Sequence, residues 1–139
     1  MFSLAGCLGS GSSSEKRAAQ LRRALEGGGL GVSRAEVVPP ASFSGSLIVT
    51  VTLDAESLAP GQSVPADALR DILHVVGRDA TDMNVGYAIF YATDEEGANA
   101  EMAEAADQLG IGETVSDESL RLSKADLEKL ATDRPPVGP

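Results

Sequence analysis

Apolar and polar residues alternate from Ser46 to Leu53, so that Leu47, Val49, Val51 and Leu53 fall on one side of an extended backbone and Thr50 and Thr52 on the other. The β-branched run Ile48 to Val51 suits a pleated surface better than a helix, where a stiff χ1 is crowded by the preceding turn. The pattern predicts a central strand with one dry and one hydrated face. Arg34 to Val38 predicts a shorter strand, stopped by Pro39 and Pro40 and paired with the first as a hairpin across residues 39–45. In Val85 to Ala92, Tyr87, Ile89 and Tyr91 alternate with Ala88, Phe90 and Ala92. So few polar positions predict a strand covered on both faces or paired centrally, with the tyrosines either packing or lining a groove. Leu120 and Leu122 predict a short edge strand.

Four segments carry helical periodicity. Ser12 to Glu26 pairs a capping-box pattern, Ser12 with Glu15, with an apolar stripe of Ala18, Leu21 and Leu25, and it ends at a glycine run from Gly27. Pro65 opens a second helix, in which Ala66, Leu69, Ile72, Leu73 and Val76 mark the inner face; Asp67, Arg70, Asp71, His74 and Arg78 mark a solvated one, and Gly77 ends it. The arrangement Thr93-Asp94-Glu95-Glu96 predicts the capped start of a third helix with Ala98, Met102, Ala105 and Leu109 inside. Ser123 with Asp126 predicts the cap of a fourth, with Leu122 and Leu127 in staple positions. The assembled order predicts an α+β fold, a two-layer sandwich in which a small sheet of three to four strands carries helices on one face; a doubly wound sheet would need more buried strands. Strand, helix, strand in succession favours a right-handed crossover where the two strands are parallel neighbours.

Composition narrows the chemistry. The 139 residues suit a single core, and with five aromatic residues and no Trp that core is built from Leu, Val, Ile and Ala, which leaves little material for stacking platforms. The formal charge of -10 is uneven: residues 1–40 hold five Lys or Arg against three acids, residues 41–139 six against eighteen. Such a body repels a phosphate backbone, which argues against nucleic-acid binding. Between Asp94 and Glu118 stand nine acids and no Lys or Arg. That segment reads as a solvated face or as a docking surface for a basic partner, with Asp94, Glu95, Glu96, Glu101, Glu104 and Asp107 as its candidate residues. Asp94 to Asn99 lack the alternating oxygen ligands and glycine offset of a calcium loop, and the glycines after Glu26 lack the lysine of a phosphate loop. One cysteine and one histidine supply neither a disulfide nor a cysteine-rich zinc site, so no metal or cofactor is expected.

The N-terminal Leu4-Ala5-Gly6-Cys7 resembles the lipobox of bacterial lipoproteins, and Gly9 to Ser14 is similar to the flexible tether that follows one. The resemblance spans about ten residues and implies cleavage before Cys7, a diacylglycerol on its thiol, and anchorage to the outside of a bacterial cell membrane. The basic and apolar leader it also implies is not contained in the residues before Cys7.

The expected organisation is a lipobox-like start and tether over 1–13, one α+β domain over 14–133 and a Pro-rich tail over 134–139. Two roles fit. One is a non-catalytic, lipid-anchored extracytoplasmic domain that binds a protein or small ligand, touching the membrane only through Cys7. The other is a cytoplasmic acidic interaction module, of inhibitor or immunity type, that engages a basic partner. Catalysis is not expected: Asp79 with Asp82 and Glu101 with Glu104 are spaced as acid pairs, but so acidic a chain forms such pairs by accident, and no nucleophile and base arrangement accompanies them.

Overall fold

The computed structural model describes residues 12–40, 45–58, 63–83, 85–116 and 118–132. The lipobox-like start, Cys7 included, and the tail lie outside the described residues. Helix α1 (Ser12–Gly27) leads into β1 (Val32–Val38) and β2 (Ser46–Leu53). Helix α2 (Ala66–Met83) crosses to β3 (Tyr87–Thr93), which is followed by the short α3 (Ala103–Gln108). Strands β4 (Val115–Ser116) and β5 (Ser119–Ser123) and helix α4 (Lys124–Thr132) complete the chain.

The fold is α+β, with a five-stranded mixed sheet in the order β1-β2-β3-β5-β4. Strand β1 is antiparallel to β2, β2 parallel to β3, and β3 antiparallel to β5. The strand count exceeds three to four only through two-residue β4, whose pairing with β5 shifts the predicted edge one strand outward.

Alternation in β2 sorts its residues as the sequence predicts: Leu47, Val49, Val51 and Leu53 are fully buried, whereas Ile48 and Thr50 are half-exposed. Thr52 departs from the wet side: it is buried, and its hydroxyl lies 3.4 Å from that of Thr93. Strand β3 is paired on both sides, yet only one face is dry: Ala88, Phe90 and Ala92 are buried, and Tyr87, Ile89 and Tyr91 are half-exposed. On the dry side the core continues into Leu21 and Leu25 of α1, Leu69, Ile72, Leu73 and Val76 of α2, and Leu127 and Leu130 of α4.

Local chemistry ends the elements. The Ser123 hydroxyl accepts the Asp126 backbone N–H at 3.1 Å while the Asp126 carboxylate accepts the Ser123 N–H at 2.9 Å, a reciprocal box that starts α4. The Pro65 carbonyl accepts the Leu69 N–H at 2.9 Å and opens α2. Along the outer edge of β1, the Glu26 carboxylate takes the Ala35 N–H at 2.9 Å, so α1 satisfies an edge amide that would otherwise solicit a foreign strand.

Two helical expectations are corrected. Gly77 does not end α2; the helix runs on to Met83. A Cβ at residue 77 would stand 2.6 Å from the Leu127 carbonyl oxygen and 3.0 Å from the Ala131 nitrogen, so glycine is required for α4 to approach, not for a stop. His74, expected in water, is half-buried, with its Nδ1 3.0 Å from the Leu130 carbonyl oxygen. The side of α2 that looks solvated in the sequence is therefore partly the seat of α4.

Candidate functional site

The acidic segment Asp94 to Asp107 is broken into three different local structures. Thr93 is the last residue of β3 and Asp94 starts a turn, not a helix. The carboxylate Oδ1 of Asp94 accepts the N–H groups of Glu96 and Ala98, each at 2.9 Å, and its backbone N–H donates to the Ala98 carbonyl at 2.9 Å. Gly97 closes the turn at φ 88°, a left-handed conformation that suits glycine. The Ala100 N–H then donates back to Ala92, so the chain folds along the end of β3. The same Thr-Asp-Glu-Glu string that favours a helix cap favours an Asx turn once Gly97 follows, and strand pairing through Thr93 decides between them.

Asp94, only 6% exposed, is consequently removed from any docking surface. Its replacement by alanine is expected to destabilise the fold by about 1–3 kcal/mol, since two backbone donors lose their acceptor; asparagine, which keeps an oxygen there, is expected to cost less. Urea denaturation of the two variants measures the difference. Glu95, Glu96, Glu101, Glu104 and Asp107 are exposed. Glu101 is partly engaged, its carboxylate accepting the Ala103 N–H at 3.2 Å and its carbonyl the Val64 N–H at 2.9 Å. A shallow recess of about 180 Å³ lies between Ser63–Ala66 and Glu104, Ala105 and Gln108. It is smaller than the roughly 300 Å³ at which small-molecule sites begin. Among the described residues, no three His, Cys, Asp or Glu side chains gather as a metal site would require, and no helix is long and apolar enough to cross a membrane.

The sheet's second face is the other feature of note. Cross-strand registers place Val38, Ile48, Ile89 and Arg121 in one row. Glu36, Thr50 and Tyr91 form the next row, and Ser46, Tyr87 and Ser123 the row on the other side. Val38 is 46% exposed, and Ile48, Ile89, Tyr87 and Tyr91 are partly exposed. The helix residues of the core cluster pack with the opposite face of the strands. Scattered apolar residues on a surface are ordinary, but three contiguous ones with two tyrosines across three strands make a patch.

At one margin of this face the Arg121 guanidinium lies over the Tyr87 ring, 4.9 Å from its centroid. Hydrogen bonding from Arg121, then from Ser46, together with the Arg121 charge, holds the Tyr87 phenol below the ordinary tyrosine pKa. A pKa depressed by folding means that the phenolate favours the folded state: the contribution is present above the unfolded value and lost as pH falls through the folded one. Absorbance titration at tyrosinate wavelengths is expected to show Tyr87 ionising below the ordinary tyrosine range, and Arg121→Leu is expected to raise it.

Tyr87, Ile89 and Tyr91 are visible in the sequence as an alternating set, but period alone does not say which face the helices take. No protein-family model matches the chain, and neither a curated protein nor a solved structure does.

Proposed function

We propose that the protein is a non-catalytic interaction domain that presents the exposed face of its sheet to another protein chain, held at a membrane surface by a lipid on Cys7. The observation that carries the reading is the contiguous Val38, Ile48, Ile89, Tyr87 and Tyr91 surface, rimmed by Glu36 and Arg121. Amphipathic tyrosines and β-branched residues flanked by single charges have the make-up of protein interfaces: an apolar centre with a polar rim. The tether reading is supported by Leu4-Ala5-Gly6-Cys7 and the Gly/Ser residues 9–11 that precede α1; Ser12 to Ser14 of that run belong to the helix. Such an arrangement leaves a folded domain to engage partners laterally while the lipid supplies the address.

Site-specific photo-cross-linking in a bacterium tests the face. A photoreactive residue at Ile89 is expected to trap a protein adduct, whereas one at Glu128, exposed on α4, is expected to trap none. Absence of any adduct from residue 89 removes the reading. Mass spectrometry of the expressed full-length gene product tests the tether: Cys7 is expected as an acylated N-terminus, and an unmodified cysteine in an intact soluble chain refutes it.

A second reading, a cytoplasmic module that meets a basic partner, is favoured by the five carboxylates of Glu95, Glu96, Glu101, Glu104 and Asp107, which stay exposed along one segment. Binding of that kind weakens steeply as salt rises from about 0.05 to 0.5 M, because exposed charges are screened within roughly 10 Å at 0.1 M. Binding through the apolar sheet face does not.

A further inference from the structure

We propose that the partner of the exposed sheet face is a second copy of this chain: two copies stack these faces about a twofold axis parallel to the strands, and Glu36 of each meets Arg121 of the other. The inference rests on reading that face as a binding surface and adds its occupant.

Charge distribution selects the occupant. The chain carries a formal charge of -10, yet the charged residues on the row positions of this face are Arg34, Glu36 and Arg121, a net of +1. Acid is thus sparse on this face, and two such bodies can meet there with little repulsion. The arrangement of these charges is also self-complementary. Glu36 sits on β1 and Arg121 on β5, at opposite margins, with the apolar Ile48 and Ile89 between them on β2 and β3. A twofold axis along the β2/β3 seam lays β1 of one copy over β5 of the other. Sheets packed about 10 Å apart then leave Arg121 one residue pair, about 7 Å along the strand, from the second copy's Glu36, a span an arginine covers when it swings off the Tyr87 ring of its own copy. An axis perpendicular to the strands instead sets Glu36 on Glu36 and Arg121 on Arg121. Only the first arrangement satisfies both rims, and it does so twice because the interface is isologous.

Size agrees with a weak dimer. Four strands about 4.8 Å apart and about 23 Å long span roughly 400 Å² of plan area per copy, hence on the order of 1,000 Å² of total accessible surface with side-chain relief. That is the lower limit of specific interfaces. A dimer of this size forms at micromolar or higher concentration in free solution and more readily where a tether raises the effective concentration.

Within one copy Glu36 and Arg121 are three strand spacings apart, about 14 Å, so they do not pair with each other and any coupling between them is intermolecular. Sedimentation equilibrium of the full chain from about 1 µM to 1 mM is expected to approach twice the 14.3 kDa chain mass. Ile89→Lys is expected to weaken association at least tenfold with an unchanged circular dichroism spectrum, as residue 89 is half-exposed. Glu36→Arg and Arg121→Glu are each expected to weaken it about 3–10-fold, and the double variant to return to within about twofold of the parent. A monomer at every concentration, a dimer indifferent to Ile89→Lys, or a double variant no better than the single ones overturns the proposal. If the chain is monomeric while residue 89 cross-links to a different protein in the cell, self-association is refuted and the reading of the face as a binding surface survives. If residue 89 cross-links to nothing, both fall.

Discussion

Replacing Phe90 by alanine is expected to destabilise the domain by about 3–5 kcal/mol, a large part of the roughly 5–15 kcal/mol that holds a domain of this kind together. Phe90 is fully buried in β3, with Val49 of β2 and Leu120 of β5 opposite it in register, and both of these are fully buried as well. It is the largest of the fully buried side chains, in a core otherwise made of Leu, Ile, Val, Ala and Met. Removing the ring opens a void between two paired strands that β-sheet hydrogen bonds keep from collapsing, so the lost transfer energy and the cavity term add. The neighbouring Tyr91→Ala is expected to cost no more than about 1 kcal/mol, because it points to the half-exposed face. Urea midpoints for the two variants, compared at equal m-value, measure the contrast; equal losses contradict the two-faced sheet.

The second large effect is expected at Gly77. In an exposed helix, glycine to alanine gains about 1 kcal/mol through propensity. Here the added methyl meets the Leu127 carbonyl oxygen, the Ala131 nitrogen and Leu130 Cβ, at 2.6, 3.0 and 3.1 Å. Two of these atoms are backbone of α4 and do not rotate away, so α4 has to shift as a unit. It lifts Leu127 and Leu130 from the core as it does so. A net loss of about 2–3 kcal/mol is expected for Gly77→Ala, on the order of 10 °C in melting temperature. Gly27→Ala is the matched control: it lies at the end of α1 with nothing within 4 Å of an added Cβ, and it is expected to stabilise by about 0.4–1 kcal/mol. The same chemical change at two helical glycines thus has opposite signs, which calorimetry of the two variants reads directly.

The acidic segment shows how far a compositional signal reaches. Nine acids without a Lys or Arg are plain in the sequence, and five of the six residues singled out there are exposed. The sixth, Asp94, is committed to its own turn, because a short carboxylate next to a reversing chain bonds the nearest amides before it can serve a partner. The sheet face was legible only in part. Its alternating residues in β2 and β3 are readable, but the row that joins Val38, Ile48, Ile89 and Arg121 draws on four strands distant in sequence.

What this sequence determines by itself acts over a few residues. Period-two alternation sorts the faces of β2, the Ser123 and Asp126 side chains start α4 by bonding each other's amides, and Pro65 opens α2. Tertiary structure alone decides whether Gly77 ends α2 or seats α4, whether Thr93-Asp94-Glu95-Glu96 turns or coils, and whether His74 meets water. Those outcomes depend on partners remote in the chain: the Leu127 backbone against Gly77, strand pairing through Thr93, and the Leu130 carbonyl 56 residues from His74. Local propensities differ by about 1 kcal/mol or less per residue, whereas burying a helix against a sheet is worth several times that, so packing settles each case in which the two disagree.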